Sequence, residues 1–294
     1  MSETYRVPAL TAATRVLSAL TDAGGDGISQ ADVARATGVS KSSTHNLLWT
    51  LEAEGFVRRD PRTRRYHLGG ALIALGVAAS QQMESVALAV DCLPRIAGGH
   101  NVSAAVAVVT RDGDAQVLNG AFPPQPVHVG IRTGSRYGYF DGAIGKCLLA
   151  ALDPERAREV VCALPIPMHT DRTVTQPARL LEEVAAVRAR GWGTSIGELN
   201  SNIAVAATIF DAQGAAEAVL VALAFPNDLD DGGVTTIGQA LRDEAAFITH
   251  HAGGTPPGLA TTDIDRARRP AEERSPVAQL AKNGGTRNER LARN

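Results

Sequence analysis

Small hydroxylated side chains are grouped where a helix is predicted to begin. Ser40 is a good N-cap residue, and the helix that it starts is predicted to run to about Glu54. Short side chains at a helix N-terminus approach a phosphate or a base edge without steric hindrance, and the positive end of the helix dipole favours phosphate. The residues with this potential are Ser40, Lys41, Ser42, Ser43, His45 and Asn46. Asn46 has an amide that can pair bidentately with adenine. Taken alone, the run fits an ordinary capped surface helix equally well.

A cluster of arginines follows this helix. Phe56-Val57 and Tyr66-His67-Leu68 have the composition of two short strands, and Asp60-Pro61 supplies turn chemistry between them. They predict a hairpin with a strongly basic tip, which carries Arg58, Arg59, Arg62, Arg64 and Arg65. Guanidinium groups on such a tip would contact phosphates or enter the minor groove of duplex DNA. The alternative is a solvated run of charges, which we disfavour because a helix pair adjoins it.

Two helices joined by a tight turn would present the hydroxylated run. One is predicted from near Ser29 to Thr37, where Gly38 can adopt the left-handed conformation that the turn requires. The other is the helix that begins at Ser40. An earlier helix is predicted over residues 11–21. Together with the basic hairpin, these segments predict a winged helix-turn-helix.

The rest of the chain mixes helices and strands. An alanine-rich stretch over residues 69–82 predicts a linker helix. Further helices are predicted at about 85–98, 141–152, 154–163, 177–190 and 234–251, and strands at about 103–110, 115–118, 192–198, 203–211 and 216–224. We expect a two-layer α+β domain from this mixture. Beyond Gly253 the chain is rich in proline, glycine and charge, which predicts a disordered tail.

Composition limits the classes of protein to consider. The 294 residues suggest two domains, and the chain has neither 18 consecutive apolar residues nor a signal-peptide pattern, so we expect a cytoplasmic protein without a membrane partner. The net charge of −2 divides into +2 over residues 1–80, −7 over 81–252 and +3 over 253–294. Only the two ends would be attracted to a polyanion. Cys92, Cys147 and Cys162 lack metal-ligand spacing, and we expect them to be reduced and buried.

The sequence contains no pattern that defines a nucleotide-binding or metal-binding site. Gly145-Lys146-Cys147 has the form of the end of a phosphate-binding loop, but Phe140 stands where the first glycine is required and Cys147 replaces Ser or Thr. The histidines show no spacing with acids or cysteines that defines a metal site. We therefore expect no catalytic residue, metal or cofactor. The alternative is a sensor-domain enzyme in which Glu198, Asp141 or a histidine performs acid–base chemistry and the winged helix binds proteins.

Two sets of motifs resemble the IclR family of transcriptional regulators in order and spacing, over residues 8 to 250. The set in the DNA-binding half comprises Arg15-Val16-Leu17, Ile28-Ser29, Val33-Ala34, Thr37 to Ser43, Leu47-Leu48, Leu51 to Val57 and Tyr66 to Gly69. The set in the sensor half comprises Gly130-Ile131-Arg132, Gly145 to Ala150, Arg190-Gly191-Trp192, Glu198, Ala204 to Ala207 and Phe210 to Gly214. Each set alone is less specific than the two in this order.

The resemblance implies a domain organisation in which DNA binding and effector binding belong to different parts of the chain. It implies a winged helix-turn-helix over residues 1–69, a linker helix over 70–83 and a GAF-like α/β effector-binding domain over 84–252, which the predicted tail over 253–294 follows. It also implies a homodimer or homotetramer on a partly palindromic DNA operator, with transcription repressed or activated by a small metabolite. The family often has arginine where this chain has Asn46, so one phosphate contact is lost and operator preference is expected to differ.

The family's ligand pocket corresponds here to residues 137–145, 204–208 and 221–224. The predicted effector-binding residues are Tyr137, Tyr139, Phe140, Asp141, Gly145, Asn202, Ala204, Thr208, Ala222 and Ala224. Ala204 stands where the family has a cysteine, and Ala222 and Ala224 stand where it has serines. Methyl groups in place of polar groups favour a ligand with an aromatic or aliphatic body. Alternatively, the alanines only pack the sheet, the tyrosines serve an interface and Asp141 is the N-cap of the next helix.

Overall fold

Residues 7–255 are described by the structure, a computed structural model, and they form two units that divide between Met83 and Glu84. The first unit has three helices, a hairpin and a fourth helix. Their bounds are α1 Pro8–Asp22, α2 Gln30–Thr37, α3 Lys41–Ala53, β1 Val57–Arg59, β2 Tyr66–Leu68 and α4 Ala71–Gln82. The predicted tail from residue 253 lies, from residue 256 onward, outside the described residues.

Local capping fixes the turn between α2 and α3. The Ser29 side chain accepts a hydrogen bond from the Asp32 N–H at 3.2 Å and caps α2. Helix α2 ends at Gly38, whose φ of 69° is the left-handed conformation that glycine adopts without strain. Ser40 caps α3 in the same way, accepting from the Ser43 N–H at 3.2 Å. The predicted helix-turn-helix is therefore confirmed, and the hairpin follows it.

A small core holds the helices and the hairpin of the first unit together. It consists of buried side chains from all three helices and both strands, namely Val16, Leu20, Val33, Leu48, Val57 and Tyr66. Strands β1 and β2 pair antiparallel, with Val57 opposite Leu68. Ile28 extends this pairing. Its N–H donates to the Tyr66 carbonyl at 3.0 Å, and its carbonyl accepts from the Tyr66 N–H at 2.9 Å. The hairpin is thus fixed to the helices by backbone as well as by side chains.

Helix α4 is apolar, yet none of its residues is buried within the first unit. Ile73, Leu75 and Val77 are all exposed. Exposed apolar patches of this kind mark interaction surfaces in globular proteins. Within residues 7–255, no single helix is both long and apolar enough to cross a membrane.

The second unit is built on a six-stranded antiparallel sheet in the order β5-β4-β3-β8-β7-β6. Its strands are β3 Ser103–Val109, β4 Ala115–Ala121, β5 Arg136–Tyr137, β6 Gly193–Ile196, β7 Ile203–Phe210 and β8 Ala216–Ala224. Its helices are α5 Glu84–His100, α6 Gly142–Ala151, α7 Pro154–Ala163, α8 Pro177–Arg190 and α9 Asp231–His251. All the predicted helices are present. Strand β5 was not expected.

Helices cover both faces of this sheet, so the two-layer expectation is wrong. One buried cluster joins the sheet to α5 and α9, and a second joins its other face to α6, α7 and α8. The strands show the reason, because β7 and β8 are apolar almost without interruption instead of alternating. Neighbouring residues of β8 face opposite layers: Ala222 packs toward α5 and α9, whereas Val221 packs toward α6.

Candidate functional site

Helix α3 keeps the predicted DNA-binding side chains outside the core. Thr44 and Leu48 are buried beneath it, and the partly buried Leu51 packs against the same cluster. Because an α-helix has 3.6 residues per turn, the residues on the opposite face point to solvent. His45 and Asn46 are exposed there.

The hydroxyl groups at the start of α3 are largely engaged with one another. Ser40 Oγ accepts from the Ser43 N–H at 3.2 Å and donates to Ser43 Oγ at 2.9 Å. Ser42 Oγ lies 3.2 Å from Ser40 Oγ. The capped-helix interpretation therefore describes Ser40, whose side chain orders the helix start. Lys41 and Ser42 are exposed and extend the same surface.

Trp49 also lies on this exposed face, although it is not among the predicted DNA-binding residues. Its side chain is 67% exposed. Spacing would have revealed it, since Trp49 follows Ser42 by seven residues and His45 by four, which places all three on one face of a helix.

The arginine hairpin is ordered by one carboxylate. Asp60 accepts hydrogen bonds from the N–H groups of Thr63 and Arg62, at 3.1 and 2.7 Å. These backbone bonds hold the pKa of Asp60 below its usual range. The chain then closes through Arg64, which has a φ of 57°, and through the bond from the Asp60 N–H to the Arg65 carbonyl at 2.8 Å. The tip therefore has a defined shape.

The five predicted arginines of the hairpin differ in their surroundings. Arg65 Nη1 donates to the Gly27 carbonyl at 2.9 Å, and the Arg59 guanidinium lies 5.6 Å from the centre of the Tyr66 ring. These two side chains contact the body of the unit. All five arginines are exposed, but Arg58, Arg62 and Arg64 make neither kind of contact within the described residues. The structure thus brings all five arginines onto one hairpin, and two of their side chains are held by contacts with the rest of the unit.

A cavity lies in the second unit between the sheet and the N-terminus of α6. The cavity has a volume of about 90 Å³, several times what one water molecule needs. Its lining is Val117, Val129, Gly130, Ile131, Tyr137, Asp141, Gly142, Ala143, Ile144, Ser195, Leu199, Asn200, Asn202, Ala204, Val221 and Leu223. No lysine, arginine or histidine is among these lining residues. Burial, followed by the charge of Asp141, raises the pKa of Tyr137.

Four predicted effector-binding residues line this cavity, namely Tyr137, Asp141, Asn202 and Ala204. Tyr139 and Phe140 instead line a smaller neighbouring cavity with Lys146 and Glu198. Gly145 lines neither. A side chain there would collide with the backbone of Gly138 and Tyr139, so Gly145 permits the loop before α6 to lie against the helix.

Three further predictions are corrected by the direction in which strand residues face. Ala222 and Ala224 lie in the cluster with α5 and α9, on the face away from the cavity. Val221 and Leu223 line the cavity in their place. Thr208 is not among the lining residues of either cavity, and its side chain reaches Cys147 instead. The sheet surface under the cavity is therefore aliphatic, with bulkier groups than the predicted alanines.

Asp141 is oriented toward the loops that border the cavity. It occupies the N-cap position of α6, as the alternative interpretation expected, but its side chain makes no capping hydrogen bond. Oδ2 accepts from the Gly138 N–H at 2.7 Å, and Oδ1 lies 3.4 Å from His169 Nε2. Asp141 is the only acidic side chain among the lining residues.

Lys146 forms a buried ion cluster beside the cavity. Its side chain is 5% exposed, and Nζ lies 2.7 Å from Glu198 and 2.6 Å from Glu183. Nζ also donates to the Thr194 carbonyl at 2.9 Å. The enzyme alternative assigned acid–base chemistry to Glu198, but this carboxylate is held by Lys146. The sequence signal for this cluster was the lysine of Gly145-Lys146, but the sequence did not indicate its carboxylate partners.

The cysteines and the possible metal ligands of the second unit do not form a reactive site within the described residues. Burial raises the pKa of Cys92 and of Cys147 to about 12. Cys162 is exposed, so the expectation that all three cysteines are buried is wrong for this residue. Among residues 7–255, no three His, Cys, Asp or Glu side chains converge in a way that could hold a metal ion.

Comparison with known proteins places both units in one family. Residues 9–61 match the IclR helix-turn-helix domain, and residues 80–250 match the bacterial transcriptional regulator IclR C-terminal domain. The glycerol operon regulatory protein of Streptomyces griseus is 31% identical over 225 residues, which are 76% of this chain and 87% of that protein. The transcriptional repressor IclR of Escherichia coli is 23% identical over 253 residues, 85% of this chain and 92% of the repressor.

A solved structure has the same fold. The IclR transcriptional regulator from Alicyclobacillus acidocaldarius superposes with a TM-score of 0.79 and 29% identity, over 85% of this chain and all of that one. The curated relatives are named as transcriptional regulators, so the enzyme alternative is set aside. The chain belongs to the IclR family of transcriptional regulators, with an N-terminal helix-turn-helix DNA-binding domain and a C-terminal effector-binding domain.

Proposed function

We propose that this regulator reads its operator with the exposed face of α3 and gains most of its DNA affinity from the hairpin arginines. The observation that carries this proposal is the presence, within one unit, of an outward helix face with polar side chains and of five exposed hairpin arginines, only two of which make a side-chain hydrogen bond or ring contact. Ser42, His45 and Asn46 are the proposed base contacts, and Lys41, Arg58, Arg62 and Arg64 the proposed phosphate contacts. Ser40, Ser43, Arg59 and Arg65 then act by shaping these surfaces.

The proposed assembly is a homodimer, or a tetramer formed by two dimers. Helix α4 supports it, because an apolar helix without a buried residue needs a partner surface. A two-fold dimer presents two α3 helices to half-sites about one helical turn, or a multiple of it, apart. The operator is then partly palindromic. In this proposal residues 1–69 bind DNA, 70–83 link and 84–252 sense the effector.

The proposed effector is a small molecule with an aromatic or aliphatic body and at least one hydroxyl or other hydrogen-bond donor. Ala204, Val221 and Leu223 offer aliphatic contact, and no cationic side chain lines the cavity to pair with a carboxylate. Asp141 would repel an anion in this partly buried space and accept a bond from a donor. Asn200 and Asn202 supply orientation.

Calorimetry with the intact chain tests the effector class. Phenols and aromatic alcohols should bind, and dicarboxylates and keto acids should bind weakly or not at all. Val221→Ser and Leu223→Ser should weaken binding of the apolar compounds, whereas Ala222→Ser, on the other face of the same strand, should leave it unchanged. Binding of small dicarboxylates alone would overturn the proposal.

A further inference from the structure

Trp49 is an unusual residue for a solvent-facing position. It is the most exposed of the tryptophan, tyrosine and phenylalanine side chains in residues 7–255, at 67%. The chain contains two tryptophans, and the other, Trp192, is 7% exposed. Leaving an indole in water forgoes the burial of a large apolar surface. Such a side chain needs a surface to cover it.

The position of Trp49 relative to α3 indicates which surface covers it. Trp49 follows Ser42 by seven residues and Asn46 by three, so all three lie on the helix face opposite Thr44 and Leu48. At a rise of 1.5 Å per residue, Trp49 lies roughly 10 Å along the helix axis from Ser42. Because a recognition helix lies within the major groove, a side chain on the face that carries Ser42 and Asn46 is directed at the same groove.

The neighbours of Trp49 argue against a protein partner at this face. The other side chains on this face of α3 are polar and suited to hydrogen bonds with base edges, namely Ser42, His45 and Asn46. Apolar side chains exposed in the first unit are found elsewhere, as the α4 residues Ile73, Leu75 and Val77 illustrate. An isolated aromatic group among hydrogen-bonding groups matches the major groove, where acceptors and donors alternate with the thymine methyl group.

We propose that Trp49 is a specificity-determining residue that packs its indole against the C5-methyl group of a thymine in each operator half-site. The inference rests on the proposed use of α3 for base reading. Thymine is the base with an apolar group in the major groove, and the indole offers it a flat apolar surface. Trp49 therefore selects A·T pairs at the position next to that read by Asn46.

Thymine-to-deoxyuridine replacement tests the contact one methyl group at a time. The duplex is the one selected by the intact chain from a random library, and each thymine is replaced in turn. Wild type should lose about fourfold in affinity at one position per half-site, the value of one buried methyl group. Trp49→Ala should bind the unmodified duplex roughly tenfold more weakly, the lower part of the range for one lost base contact, and be insensitive to that replacement. Trp49→Phe should recover part of the affinity and part of the sensitivity to the replacement.

Fluorescence provides a second readout. In wild type, emission should shift to shorter wavelength and lose intensity when the selected duplex is added. Trp49→Phe retains Trp192, whose ring lies 4.0 Å from the Arg190 guanidinium carbon, and its emission should not change. Unchanged emission of Trp49 on binding would overturn the proposal.

The outcomes separate this inference from the proposed function. If wild type shows no salt-dependent duplex binding, the use of α3 and the hairpin fails as well. If Trp49→Ala binds and discriminates as wild type does, only the inference fails. It also fails if Trp49→Ala loses equal affinity for the selected and a scrambled duplex, or forms assemblies of different mass.

Discussion

Lys146 is the only charged residue that is buried among residues 7–255. Its partners come from α8 and from the segment after β6, so the cluster joins three elements around one charge. Glu198 precedes Leu199, Asn200 and Asn202, which line the cavity. Lys146 therefore positions a wall of the proposed effector site without touching the effector.

Removing this charge should destabilise the second unit. Lys146→Met keeps the volume but leaves two carboxylates without their shared cation, and we expect a loss of about 3 kcal/mol in the free energy of unfolding. Urea unfolding followed by circular dichroism measures it. The control Arg156→Ala breaks the exposed pair with Glu159, 2.8 Å apart, and should cost less than about 1 kcal/mol. Equal effects of the two variants would contradict the buried-cluster account.

The cysteines should differ in reactivity. Because burial raises the pKa of Cys92 and Cys147 to about 12, their thiols remain protonated at pH 8, and the thiolate is the reactive form. Cys162 is exposed. Ellman's reagent at pH 8 should therefore titrate one thiol per native chain rapidly and all three after unfolding in guanidinium chloride. Rapid reaction of three thiols in the native chain would show that the interior is open.

At the scale of elements, helices and turns were more predictable than the direction of strand residues. The bounds of α6, α7 and α8 agree with prediction within a residue. Helix-end residues account for this, since Asp153 caps α7, Pro154 begins it and Gly191 ends α8 in the left-handed conformation. In β8 the run Val219 to Ala224 is wholly apolar, so no alternation reveals which residues face the cavity. The prediction therefore chose Ala222 and Ala224 where Val221 and Leu223 line it.

Within the first unit, base contacts and structural contacts should respond differently to substitution. His45→Ala and Asn46→Ala should each change which operator is preferred, at about 1 to 3 kcal/mol for each lost base contact. Arg65→Ala should instead lower Tm, because Arg65 holds the Gly27 carbonyl. Selection from a random duplex library, together with thermal unfolding, separates the two. A lowered Tm with unchanged preference for the Asn46 variant would contradict the assignment.

At the scale of the whole molecule, charge and apolar surface are divided along the chain. Residues 81–252 carry a net charge of −7, so DNA would be repelled by this part and attracted by the hairpin arginines. The sequence predicted this charge division, but not that α4 has no buried residue in one copy of the chain, because burial depends on packing.

Charges placed on α4 should separate the proposed dimer. Ile73→Asp with Val77→Asp puts two carboxylates on one helix face, one turn apart, and a second copy would have to desolvate them. Light scattering after size exclusion should give the mass of one chain for this variant and of two or four for wild type. Gln82→Asp adds charge on the opposite helix face and should not change the mass. An unchanged mass for the double variant would contradict the α4 interface.

The central claim is that α3 supplies specificity and the hairpin arginines supply affinity. It is tested by measuring wild type and the triple variant Arg58→Ala, Arg62→Ala, Arg64→Ala on the selected and a scrambled duplex across a salt series. We expect the variant to bind both duplexes more weakly by a similar factor, and the slope of log affinity against log salt to flatten by up to about 5 for a dimer. The ratio of the two affinities should be unchanged. A collapse of that ratio with an unaltered salt slope would contradict the claim.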